Sequence, residues 1–135
     1  MEEIFLWEKY DIYSYDEDDG SDYVGDFMEE LNRKDPDKAT EIFQDFFEKI
    51  KNGIGVPVDW SHSGKKLKKL QENLWEYRDR SPKIRCLIRI YFGIDEKNRK
   101  IILLDGQLKH DNKDQRRKIE TVEKRWNAYK KKGEI

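Results

Sequence analysis

Cysteine, histidine and proline are scarce in this chain, with one, two and three of them among 135 residues. A single cysteine excludes an internal disulfide framework. Two histidines and one cysteine without ligand spacing leave no set of side chains for a zinc centre, so no metal is expected. No glycine-rich phosphate loop and no nucleophile elbow occur, which removes the common nucleotide-cofactor and acyl-transfer classes; no cofactor is expected. The acidic stretch 16–22 lacks the closing glutamate of a calcium loop and reads as a solvated loop. No apolar run approaches a membrane span or the core of a signal peptide. The expectation is a cytoplasmic protein with no membrane partner.

What the chain does contain is charge and aromatic rings. Charged residues make up 42% and aromatics 13%, against a hydrophobic content of only 36%. The rings compensate for the shortage of aliphatic residues, because each buries a large area. A length of 135 residues fits one domain, 1–135, with a modest core. The formal net charge of −1 hides an asymmetry. Residues 1–59 hold 6 Lys/Arg and 18 Asp/Glu, net −12, whereas residues 60–135 hold 22 and 11, net +11. Only the second half offers a field that attracts a phosphate backbone. Two solvated surfaces of opposite sign would look the same.

Periodicity divides the chain into helices first and strands second. Residues 4–15 alternate like a first strand or hairpin. Val24, Phe27, Met28 and Leu31 have helical spacing, which predicts a short amphipathic helix over 22–34. Asp35 can cap a second helix, Pro36 suits its first turn and Gly53 ends it. Ala39, Ile42, Phe43, Phe46, Phe47 and Ile50 then form one broad face that needs a covering layer. Residues 65–70 read as a basic helical turn or the approach to a strand.

Strand alternation sorts the second half into faces. Ile84, Cys86, Ile88, Ile90 and Phe92 share one face, and Arg85, Leu87, Arg89 and Tyr91 share the other. Cys86 on the inward face is a buried, inert thiol rather than a nucleophile. If Trp75 and Tyr77 turn to the core, Glu76 and Arg78 join Arg85 and Arg89 on an open, arginine-rich surface. The closing segment, with Asp114 as a cap, carries Gln115, Ile119, Val122, Trp126 and Tyr129 as a stripe that packs on the sheet edge or its back. The fold class is α+β, a helical hairpin on a twisted, mainly antiparallel sheet with a C-terminal helix.

Leu74-Trp75-Glu76-Tyr77-Arg78, then 85–95, then 101–110, then the helix 115–131 form a succession that resembles the RelE/ParE superfamily of toxins, in its HigB-like, phage-derived branch. The resemblance runs from about residue 67 to the end. It implies the RelE-like fold and the toxin of a type II toxin–antitoxin pair. Its activity would be that of a ribosome-dependent endoribonuclease that halts translation, with messenger RNA on the ribosome and a helix-turn-helix antitoxin as partners. In such an enzyme the ribose 2'-oxygen attacks the adjacent phosphate, and preorganised cations stabilise the phosphorane. Arg78 is the candidate phosphate clamp, and either Arg85 or Arg89 the second arginine. The family's paired lysines become Lys109 and His110 here. His110 titrates near neutrality and suits proton transfer, or else is a plain loop histidine; Tyr91 and Glu76 are the further candidates. Lys65, Lys66, Lys68, Lys69, Arg116 and Arg117 are the basic positions expected along RNA. Two other functions fit the same fold: a non-catalytic, phage-derived binding module, and a ParE-like toxin directed at gyrase.

Overall fold

The computed structural model describes residues 11–16, 20, 22–53, 67–109 and 112–133, with backbone alone for 47–53, 109, 112 and 133. The chain order is β1 (Asp11–Ser14), α1 (Tyr23–Lys34), α2 (Pro36–Gly53), β2 (Leu67–Gln71), β3 (Leu74–Ser81), β4 (Cys86–Asp95), β5 (Lys100–Lys109) and α3 (Asn112–Gly133). The architecture is α+β.

Local chemistry sets the helix ends. The Asp22 carboxylate accepts from the Gly25 N–H at 2.9 Å and caps α1. Arg33 and Lys34 occupy its last turn, where the helix dipole favours cations. Asp35 serves both helices. Its N–H donates to the Leu31 carbonyl at 2.8 Å, closing α1, and its Oδ1 accepts from the Lys38 N–H at 3.2 Å, opening α2. Its Oδ2 accepts from the Ser81 hydroxyl at 2.8 Å, so the same buried side chain ties the helical corner to the end of β3.

The sheet order is β1-β5-β4-β3-β2, with antiparallel neighbours except for the parallel β1–β5 pair at one edge. The α1/α2 hairpin covers one face. There Phe27, Leu31, Ile42 and Phe46 pack on Trp75, Tyr77, Ile88, Ile90 and Phe92, with Phe46 edge-on to both Tyr77 and Phe92. The α2 face is narrower than its periodicity predicts. Phe43 is 54% exposed, because the sheet meets the row formed by Ala39, Ile42 and Phe46; the side chains of Phe47 and Ile50 lie outside the described set.

On the opposite face α3 lies across the back of the sheet. Its Val122 and Trp126 are fully buried against Leu74, Tyr91, Ile102 and Leu104, with Ile119 and Tyr129 packed beside them. Two glycines allow these layers to approach. A Cβ on Gly93 would stand 2.4 Å from the Trp126 ring, and one on Gly106 would stand 2.2 Å from the Phe27 ring. A bulge in β5 skips Leu104 between the Tyr91–Asp105 and Phe92–Leu103 pairs. Both Leu104 and Asp105 therefore point to the α3 side, where strict alternation would allow one.

The double cap generates a pH test. The hydrogen bond from Ser81 holds the Asp35 carboxyl below its ordinary value, and the Lys38 N–H and the charges of Lys83 and Lys38 act in the same direction. A depressed pKa contributes stability above the unfolded-state value, and that stability is lost as pH falls through the folded value. Ser81→Ala should lower the melting temperature at pH 7, and the gap from the parent should narrow as pH drops below the usual aspartate range. A gap constant down to pH 2 would mean that the Ser81 contribution is packing alone.

Candidate nucleic-acid interface

The β3–β4 register brings the expected side chains together in rows. Arg78 stands opposite Arg89, Glu76 opposite Tyr91, and Arg80 opposite Leu87. On β5, Gln107 pairs with Arg89 and Lys109 with Leu87, and on β2 Lys68 pairs with Glu76. Pairing does not change face, so Lys68, Glu76, Arg78, Arg80, Arg89, Tyr91 and Gln107 share the α3 side of the sheet.

Arg85 does not join them. It ends the 82–85 turn with φ 53° and is exposed, one residue before β4 begins. A tight hairpin needs a left-handed residue to reverse direction, and Asn73 and Arg99 do the same at the neighbouring hairpins. Strand parity therefore stops at Cys86. Of the two arginines that the motif left open, Arg89 is the one directly across from Arg78.

The face is also less open than alternation alone implies, because α3 lies across it. Glu76 and Tyr91 are fully buried and Arg89 is 5% exposed. Arg89 Nη1 sits 2.7 Å from Glu76 Oε1, and Gln115 at the start of α3 donates to the same oxygen at 3.3 Å. Arg78 Nε lies 3.7 Å from Glu76 Oε2, and the Arg78 side chain is 34% exposed. One buried carboxylate thus orients two guanidinium groups, of which Arg78 reaches solvent. Arg89 Nε is buried with no hydrogen-bond acceptor among the described residues. The Tyr91 hydroxyl donates to Gln107 Oε1 at 3.2 Å. Burial, reinforced by the charge of Glu76, pushes its phenol above the ordinary value, so Tyr91 stays protonated at neutral pH.

Lys68 is exposed on this face, whereas Lys69 faces the hairpin side opposite Trp75 and is also exposed. Arg116 and Arg117 are exposed on α3. Lys109 pairs through its backbone with Leu87, and its side chain lies outside the described set, as do His110, Lys65 and Lys66.

Two features escape the sequence reading. Arg80 is exposed two residues beyond Arg78 on the same face, and the alternation that found Arg78 could have found it. The second is a buried ion cluster at the bulge. Asp105, 3% exposed, holds Lys118 Nζ at 2.9 Å and pairs with Arg125, whose guanidinium lies 3.5 Å from the centre of the Tyr23 ring. No sequence signal marks the bulge that aims Asp105 at α3. Among the described residues no group of His, Cys, Asp and Glu is arranged to hold a metal ion, and no helix is long and apolar enough to cross a membrane.

Compared with protein-family models, curated proteins and solved structures, the chain finds no match.

The arrangement separates the roles of the two arginines. Arg89→Ala strips a buried carboxylate of its partner and should destabilise the fold by about 3–5 kcal/mol, as for other broken buried pairs. Arg78→Ala removes a half-exposed contact, expected to be worth about 0–1 kcal/mol. Urea denaturation measures both. An Arg89→Ala variant as stable as Arg78→Ala would mean that Glu76 is not held by Arg89.

Proposed function

We propose that this chain is a RelE/ParE-like toxin of the HigB-like branch, acting on messenger RNA and held in check by a cognate helix-turn-helix antitoxin. The observation that carries the reading is the direct pairing of Arg78 with Arg89, with Arg80 and Lys68 on the same face of the net-positive half. A phosphate at this face meets Arg78 first. Arg89, fixed by Glu76, adds positive potential from beneath it. In cleavage the ribose 2'-oxygen, giving up its proton, would bond to the adjacent phosphorus as the bond from phosphorus to the 5'-oxygen of the next nucleotide breaks and that oxygen takes up a proton; fixed guanidinium groups favour the charge that develops on the phosphorane.

Proton transfer falls to groups other than those beneath α3. Glu76 is occupied by Arg89 and Gln115, and the Tyr91 phenol is buried and difficult to ionise. Lys109, the last residue of β5, and His110, next in the sequence and outside the described residues, remain the candidates. The same burial favours a second reading, in which the face binds phosphate without cleaving it and the chain is a non-catalytic module.

Induced expression separates the two. For the toxin, growth should arrest and transcripts should be cut within coding regions, and Arg78→Ala should relieve both while the protein stays folded. Normal growth at high soluble expression, with intact transcripts, leaves the binding module.

A further inference from the structure

At the far end of α3 from the arginines, a cleft of about 740 Å³ opens between the β1 edge, the β4–β5 turn and the last helical turns. Its walls include Tyr13 in β1 and Tyr15 just past its end, Lys100 at the start of β5, and Tyr129 and Lys132 one turn apart on α3. Tyr13 is paired with Ile102, which packs beneath α3, and so lies on the α3 side of the sheet. It is 47% exposed, with Lys100 Nζ 5.1 Å from its ring centre. Tyr129 is fixed at both ends. Its ring stacks on Trp126 at 5.4 Å and 7°, and its hydroxyl donates to the buried Asp95 at 2.7 Å. Asp16 is the acid among the described lining residues.

Three phenol rings beside two ammonium groups match a ligand that carries both a flat π-system and an anion. Stacking on a tyrosine accepts any base, and a lysine answers phosphate as a point charge. A volume of this size is in the range of small-molecule sites. The arginine face cannot account for the cleft, because Gln115 and Tyr129 are about 20 Å apart along a helix rising 1.5 Å per residue.

We propose that this cleft binds a nucleoside monophosphate unit, its base stacked on Tyr13 and its phosphate met by Lys100. The unit is either a free nucleotide or one residue of a single-stranded RNA. The assignment stands apart from the reading of the arginine face.

Isothermal titration of the full chain with AMP, adenosine, inorganic phosphate and a single-stranded oligoadenylate tests it. AMP should bind at least tenfold more tightly than adenosine or phosphate. Tyr13→Ala should weaken AMP about 5- to 100-fold, the range given by the loss of one stacking contact. Tyr13→Phe should retain binding, since stacking needs no hydroxyl. Lys100→Ala should weaken AMP and flatten its salt dependence. Arg78→Ala should leave AMP binding unchanged, so the two sites fail or succeed separately. An oligomer bound much more tightly than AMP, and sensitive to Tyr13→Ala, identifies RNA as the source; equal affinities identify the free nucleotide. Phosphate binding as tightly as AMP, no AMP binding at millimolar concentration, or a folded Tyr13→Ala variant with unchanged affinity overturns the proposal.

Discussion

Trp126 packs over Gly93, where any side chain would collide with its ring, and that close approach sets the depth at which α3 rests on the sheet. The Trp126 indole Nε1 is buried with no acceptor among the described residues, so packing rather than hydrogen bonding holds the ring. From this seat the polar groups of the helix fall onto their partners: Gln115 on Glu76, Lys118 and Arg125 on Asp105, Tyr129 on Asp95. The spacing of 115, 118, 122, 125/126 and 129 is one helical face, with apolar residues in its middle and polar residues at its margins. A shallower seat would expose Leu104 and Ile102 and separate all four polar contacts at once.

Closing the second face gives the arginine cluster its character. In an open cluster Arg78 and Arg89, directly opposed across two strands, would repel each other. Beneath α3 the buried Glu76 carboxylate sits between them and makes the pair tolerable, while Arg78 remains accessible. The result is a positive face with one part-exposed and one buried cation. At the other end of the same helix, the tyrosine and lysine cleft uses the edge that β1 supplies, so α3 runs from the arginine face to a cleft of different chemistry.

Much of this was legible in the sequence where the signal is local. The Asp35 cap, Pro36 at the first turn, and the alternation that sends Trp75, Tyr77, Ile88, Ile90 and Phe92 to one face all follow from neighbouring residues. What was not legible depends on distant partners. Parity places Arg85 with the strand because it carries no notice of where a hairpin turns. Periodicity places Phe43 with the core because it does not show how wide a surface the sheet offers. Alternation leaves Glu76 and Arg89 on an open face because the stripe on α3 requires a cover without saying which part of the sheet provides it. The parallel pairing of β1 with β5 and the bulge at Leu104 leave no mark that alternation could detect.

Gly93→Ala in urea denaturation probes the seating of α3 on the sheet at its closest point. In an ordinary strand, replacing glycine by alanine stabilises by roughly 0.5–1 kcal/mol. With a Cβ 2.4 Å from the Trp126 ring, the substitution should instead destabilise by about 1–3 kcal/mol, as overpacking does, and shift the tryptophan fluorescence of the folded state. A Gly93→Ala variant as stable as the parent or more so, with unchanged fluorescence, would contradict the seating of α3 and with it the burial of the Glu76–Arg89 pair.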